Sequence, residues 1–279
     1  MPEIKWNDWF WGTHYDWKDQ GEEWSSAWGS SEAQWFGTLY PRLHRYLPAP
    51  TILEIAPGFG RWTRFLLPQC NHYYGVDLSP ACIDHCTRRF ARASQARFVK
   101  NDGKSLAFLG KTKLDFVFSF DSLVHADEDV LDTYVAQILP RLSSRGAAFL
   151  HHSNAAALNL QEPIPHVRSA RVSASIVRES VLAHGGRVLS QECVNWGSPL
   201  LLDCLTVFTR QDSALPGKET RMENADFMLE ATRVKRWQPL YAAHVPNEGL
   251  ATGTTILPEP PAQDGLWQCI KQRLPWLGR

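Results

Sequence analysis

Several things are missing from this 279-residue chain, and each absence narrows what it can be. There is no charge imbalance: 29 basic and 29 acidic side chains give a net charge of zero. Bulk electrostatics therefore gives no reason to expect a nucleic acid or another polyanion as partner. No apolar run is long enough to span a bilayer, and no charged-then-apolar leader opens the chain. A soluble, cytoplasmic protein is expected. The six cysteines, Cys70, Cys82, Cys86, Cys193, Cys204 and Cys269, form no CxxC pair. Cys82 and Cys86 lie four apart beside His85, but no second cluster at a metal-ligand spacing completes the set. Free, buried thiols are expected instead. There is no internal repeat. What remains is a chain that is 44% apolar, enough for one large domain with additions.

The most informative stretch is TILEIAPGFGRWTRF, residues 51–65. Apart from Glu54, its first five residues form an apolar run rich in β-branched side chains, as in a strand buried on both faces of a parallel sheet. The run breaks at Pro57, Gly58 and Gly60, and a helical pattern with Trp62, Phe65 and Leu66 follows. Strand, glycine turn and helix open a nucleotide-binding α/β domain. Glycine lets the backbone pass close to a ligand, and the helix N–H groups then face it. Glu54, a carboxylate near the end of an apolar strand, suits a cationic or polar ligand group.

The segments after it alternate. Strands are expected at 73–77, 97–100, 114–120 and 146–151, with helices at 81–93, 130–142 and 172–184. Asp77 ends the second strand seventeen residues after Gly60, where a carboxylate can take two hydrogen bonds from a ribose diol. Ser79 or Pro80 then starts a helix. Asp102, before Gly103, has two readings: an acceptor for an adenine amino group, or a turn residue. Ligands of open parallel sheets bind outside the carboxyl ends of the strands. Asp121, Ser122 and His125 follow one such end, and His151, His152, Ser153 and Asn154 another. Residues 155–170 lack periodicity and carry His166 and Arg168, as a substrate-side loop would. Residues 187–196 and 200–210 are two further strands, and the short link Gly197, Ser198, Pro199 makes them an antiparallel hairpin.

Both ends are unusual. Residues 1–36 hold seven of the twelve tryptophans. They are either a helical extension packed on the domain or a lid closing over a ligand. A helix broken by Pro41 is expected from about 30 to 47. Beyond 211 come a helix at 224–241, a Pro-rich strap at 246–261, and a basic amphipathic end at 264–279. That end could touch a membrane surface or a partner, though docking on its own domain is the better reading.

The order of elements, with Glu54-x-x-x-Gly58-x-Gly60, Asp77 and Asp102, resembles the class I S-adenosylmethionine-dependent methyltransferases over about residues 43–210. Ala56 stands where that family commonly has its first glycine. The resemblance implies a doubly wound α/β fold: a seven-stranded, mostly parallel sheet with an antiparallel last strand. Around it would be an N-terminal helical lid (1–47), a cofactor-binding domain (48–210) and a C-terminal extension (211–279). It implies S-adenosylmethionine as cofactor. Gly58 and Gly60 would lie under its methionine and ribose, Glu54 near its ammonium, and Asp77 on the ribose with Leu78 adjacent. Asp102 and Gly103 would lie at adenine, Phe120 at the methionine end, and Trp28, or Trp35, above.

The methyl acceptor is expected to be a hydroxyl of a sugar, glycan or other small molecule, taken from extended stretches similar to those in glycan- and small-molecule-modifying members. A hydroxyl must lose a proton, and histidine is suited to take it near pH 7. His152 is the first candidate and His125 the next, with Asp121 beside them. Strand alternation puts His151 and His152 on opposite faces. His151, Asn154, His166 and Arg168 are candidates for substrate contact. Asp121, His125 and His152 lack an evident third carboxylate, so no metal is expected. The competing readings are N-methyl transfer, a nicotinamide-dependent oxidoreductase and a non-catalytic cofactor binder.

Overall fold

The computed structural model describes residues 4–17, 19–160 and 164–241. The strap at 246–261 and the amphipathic end at 264–279 lie outside the described residues. Eight strands form one sheet: β1 (Thr51–Ile55), β2 (His72–Asp77), β3 (Ala96–Lys100), β4 (Leu114–Ser119), β5 (Leu142–Ser153), β6 (Gly186–Val194), β7 (Asp203–Arg210) and β8 (Thr220–Asn224). Their order is β3-β2-β1-β4-β5-β7-β6-β8. The first five pair in parallel, and β7 runs antiparallel to both β5 and β6.

Two expectations need correction. Among the described residues the sheet has eight strands, not seven: the expected antiparallel strand is β7, and an unforeseen β8 follows it, parallel to β6. The sequence of β8, TRMEN, is mostly exposed and carries no apolar alternation that would announce it. It forms because the β6 backbone would otherwise be an unpaired edge. The link from β6 to β7 is also longer than a tight hairpin, running from 195 to 202. Asn154 draws it aside: its backbone N–H donates to Leu202 O and its side chain to Leu201 O.

Apolar side chains alternate across the strands and build a core on each face. Ile52, Phe116, Phe118 and Phe149 join one core, and Leu53, Val117, Ala148 and Leu150 the other. The helices are α1 (Ile4–Trp9), α2 (Ser31–Gln34), α3 (Tyr40–Leu43), α4 (Thr63–Leu66), α5 (Pro80–Arg89), α6 (Glu128–Ile138), α7 (Ala174–Ala183) and α8 (Phe227–Tyr241). Ser79 caps α5 and Ser173 caps α7, each accepting a backbone N–H of the first turn. α6 and α7 cover the second core. α2, α3 and α8 cover the first, where Phe227 packs on Trp28 and Trp196. With helices on both faces, the polar strand ends of β1, β2 and β4 are left open on one rim.

Candidate functional site

The open rim and the amino-terminal segment enclose a cavity with about 1100 Å³ of space, counting its open mouth. Its floor is the glycine turn and the ends of β2 and β4, and its roof carries Ile4, Trp11, Trp17 and Trp24.

The glycine turn is tied to β2. The Gly58 N–H donates to Asp77 Oδ2 at 3.1 Å, and the Ser79 N–H to Asp77 Oδ1 at 2.9 Å. Burial raises the Asp77 pKa to about 6, against the opposing pull of these N–H groups. Ala56, standing where a glycine is common, adopts φ +56°, a left-handed conformation. Gly58 is also left-handed, and a Cβ there would lie 2.8 Å from the Trp17 ring, so the roof rests directly on the turn. Trp17 stacks on Phe59 at 4.7 Å. Gly58, Asp77, Leu78, Gly103 and Phe120 all line the cavity.

Gly60 does not. Its absent Cβ leaves room for Phe90, which would lie 2.5 Å away, so it serves the packing of α5. Glu54 is likewise outside the cavity. It is fully buried, accepts from Thr63 Oγ1 at 2.7 Å and from Tyr73 Oη, and burial lifts its pKa to about 7. Asp102 is an exposed turn residue whose Oδ1 accepts the N–H groups of Lys104 and Ser105, so the turn reading prevails. Trp28 and Trp35 are core residues. Trp28 donates to Thr38 Oγ1 at 2.8 Å and packs on Trp196, while Trp35 stacks on Phe65.

The β5 end separates the two histidines as strand alternation requires. His152 lies under α7, fully buried, with Nδ1 on Ser153 O (2.8 Å) and Nε2 on Thr206 Oγ1 (2.7 Å). Burial pushes its pKa down to about 4. Both nitrogens are engaged and it does not line the cavity, so it is not placed to act as the base. His151 is buried between Phe120 and Trp196 and also fails to reach the cavity. Its Nδ1 accepts the Asp121 N–H at 3.0 Å, which puts the ring proton on Nε2, 3.3 Å from Asp203 Oδ2. That second contact is not aligned as a hydrogen bond. Arg168 grips Asp203 with two hydrogen bonds, and this buried pair makes Arg168 structural. Asn154 fastens the 195–202 loop and accepts the Ala174 N–H. His166 is exposed, beside Gly197. None of these four lines the cavity.

Asp121 and His125 do. Asp121, at φ +64°, pairs with Arg61 at 2.7 Å. Arg61 also lies over the Trp62 ring, 4.4 Å from its centroid. His125 Nδ1 meets Val167 O at 3.0 Å. A carbonyl can only accept, so Nδ1 carries the proton and the Nε2 lone pair is free to act as a base. Burial lowers the His125 pKa below its ordinary value, so the ring is neutral near pH 7.

The sequence did not single out Arg61, Trp62, Trp11, Trp17, Trp24 or Tyr134, which line the cavity. Arg61 had a signal, its place directly after Gly60. The tryptophans had none that separated them from Trp28 and Trp35.

Residues 52–146 match the family model of a methyltransferase domain. Over that stretch the chain is similar to a methyltransferase domain. The fold is similar to that of solved methyltransferases. A magnesium protoporphyrin IX methyltransferase from Synechocystis, solved with bound SAH, is similar at a TM-score of 0.52 and 15% identity, covering 75% of this chain and 100% of that one. An S-adenosylmethionine-dependent methyltransferase from Clostridium acetobutylicum aligns at 0.50 and 14%, covering 73% and 95%. The CcbJ methyltransferase from Streptomyces caelestis aligns at 0.50 and 14%, covering 70% and 99%. At such identity these likenesses speak for the fold alone. No curated protein matches the chain. S-adenosylmethionine is the cofactor, and the cavity fits it. Asp77 places a carboxylate at the cavity, Gly58 leaves the floor without a side chain, and Leu78, Val130 and Tyr134 add to its lining. Trp62 Nε1–H, buried without a partner among the described residues, is a spare donor for a carboxylate.

Proposed function

We propose that the protein is an O-methyltransferase that acts on a hydroxyl of a small molecule, with His125 as the general base. The observation that carries this reading is His125 itself. It lines the cavity, its Nδ1–H is held by Val167 O, and its Nε2 lone pair remains available. When bound, S-adenosylmethionine supplies a methyl carbon on a sulfonium, already a strong electrophile. The protein's share is placement, dryness and a proton acceptor.

Asp77 holds the ribose hydroxyls, Gly58 and Leu78 flank them, and Gly103 lies toward adenine. Phe120 and the Arg61–Asp121 pair border the methionine end. The amino-terminal segment is the lid: Trp17 rests on Gly58 and Phe59, and Trp11 lies 5.2 Å from the His125 ring. Closed, it excludes water from the base. His125 Nε2 takes the hydroxyl proton, and Asp121, held by Arg61, borders the same pocket.

The test is methyl transfer from labelled cofactor to hydroxyl compounds of the host, with His125→Asn alongside. The variant should lose about 10²- to 10⁴-fold in turnover, the usual range for a general base. Its affinity for S-adenosylhomocysteine (SAH) should stay within about twofold of the parent, because His125 is assigned no cofactor contact. Full activity in the variant would remove His125 from the role.

A further inference from the structure

The charges lining the cavity limit what else can enter it. Arg61 is its cation among the described residues, and Asp121 neutralises it at 2.7 Å. Both Asp77 oxygens hold backbone N–H groups, and that carboxylate is assigned to the ribose. His125 is neutral. An acceptor bearing a carboxylate, phosphate or ammonium would find no counter-charge of its own, and burying an unpaired charge is strongly unfavourable. The polar side chains around the base are also engaged. Asn7 Nδ2 donates to His125 O at 3.0 Å and Asn7 Oδ1 accepts from Trp11 Nε1 at 3.2 Å. Ser122 Oγ donates to Ala56 O at 3.0 Å. Few hydrogen-bonding groups remain to follow the hydroxyls of a saccharide. The wall beside His125 is indole instead: Trp11 at 5.2 Å from its ring, and Trp24 edge-on to Trp11 at 6.2 Å. Both line the cavity.

We infer that the acceptor is an uncharged, planar aromatic alcohol, lying against Trp11 and Trp24 with its hydroxyl at His125. This rests on the hydroxyl-transfer reading above. The hydroxyl gives its proton to His125 Nε2 and forms the new oxygen–carbon bond as the carbon–sulfur bond of the methyl donor breaks. The electron pair stays on sulfur, and the proton leaves His125 for water. A phenolic hydroxyl, with a pKa near that of tyrosine, about 10, is far easier for a neutral imidazole to deprotonate than a sugar hydroxyl.

The experiment measures binding to the full chain loaded with SAH, by calorimetry. The first probe is 2-naphthol. Decahydro-2-naphthol keeps the size and the hydroxyl but loses planarity, 3-hydroxy-2-naphthoate adds a charge, and methyl glucoside represents the saccharides. 2-Naphthol should bind at least about tenfold more tightly than each of the other three, a difference of roughly 1.4 kcal/mol. Trp11→Leu and Trp24→Leu should each weaken 2-naphthol by roughly 2- to 12-fold, the range for loss of one aromatic contact. Comparison of probes on the unaltered protein decides the question even where a variant misfolds. Absent binding of 2-naphthol, or equal or tighter binding of any other probe, overturns the inference. Failure of SAH itself to bind would sink the methyl-transfer reading first, and this one with it.

Discussion

Asp77 is the residue on which cofactor binding should depend most. Its carboxylate ends β2 inside the cavity, and burial raises its pKa to about 6. A ribose diol donates two hydrogen bonds to the charged form, each worth about 1.5–3 kcal/mol. Asp77→Asn keeps one acceptor oxygen but sets an amide N–H₂ against either the Gly58 N–H or a ribose hydroxyl. A loss of about 3 kcal/mol is expected, roughly 150-fold in Kd for SAH at pH 7.5. The pH dependence has a definite sign. Ligand hydroxyls favour the carboxylate, so affinity is full above about pH 7 and falls as Asp77 protonates below about pH 6. The limb approaches a tenfold loss per pH unit until the pKa of the bound form is reached. His125 also titrates below its ordinary value, but the variant keeps it. The difference between the two proteins therefore isolates Asp77. Calorimetric titration with SAH from pH 7.5 to 5 is the assay. An Asp77→Asn protein within threefold of the parent, or one that retains the acid limb, would refute the ribose assignment.

Three further substitutions test the surroundings. Gly58→Ala places a Cβ 2.8 Å from Trp17, so that ring must leave its stack on Phe59. With about 1–2 kcal/mol for a left-handed alanine and 0.5–1.5 for the stack, SAH binding should weaken by at least about tenfold with a change in tryptophan fluorescence; an unchanged spectrum would mean the roof does not sit on the turn. Glu54 has its pKa raised from 4.5 to about 7 on folding. Its stabilising contribution is complete below about pH 4.5 and lost as pH rises through about 7, roughly 3 kcal/mol in all. Glu54→Gln should therefore gain stability relative to the parent between pH 5 and 8 in urea unfolding, and parallel profiles would contradict the raised pKa. Asp203→Asn removes the carboxylate that Arg168 holds with two hydrogen bonds and breaks a buried ion pair, for a loss of about 3–5 kcal/mol. Asp203 sits low, at about 2, because Arg168 and His151 outweigh the effect of its burial. Its stabilising contribution is present above about pH 3.8 and lost only as pH falls through about 2. The deficit of the variant should hence be the same at pH 5 and pH 8.

The fold was largely legible because its signals are local. β1 and β4 are buried on both faces, and the breaks after β1 and β2 fall at Pro57, Gly58 and the capping Ser79. β8 was invisible because an edge strand exposed on its surface needs no apolar pattern; the unpaired backbone of β6 calls it into place. The Trp35–Leu39 segment shows a similar limit. Its helix was legible, but its winding as a π-turn depends on packing against Phe65, Phe118 and α8.

The site divides along the same line. Positions fixed by the strand–turn frame, Gly58, Asp77, Leu78 and Phe120, can be placed by counting along the chain, and all of them line the cavity. Positions whose meaning depends on which way a side chain faces cannot. Glu54 lies next to the end of β1 and Asp77 at the end of β2, yet Glu54 turns to Tyr73 and Thr63 while Asp77 turns to the cavity. His151 and His152 differ by one residue, which alternation converts into opposite faces of the sheet, and neither face reaches the cavity at that distance along β5. His125 does, because it leaves the sheet: the short turn Leu123–His125 after β4 carries it across the rim, under the lid. A base had to sit on such a turn, where Nδ1 can be anchored by a neighbouring backbone carbonyl and Nε2 kept for the ligand. The same reasoning explains why the lid tryptophans could not be ranked. Seven indoles in one segment look alike in sequence. Trp28 is committed to the core by one hydrogen bond to Thr38 and its packing on Trp196, whereas Trp11 is held at the base by Asn7. For Trp28 and Trp11 it is the partner of the indole N–H, not the spacing, that sets one in the core and the other beside His125.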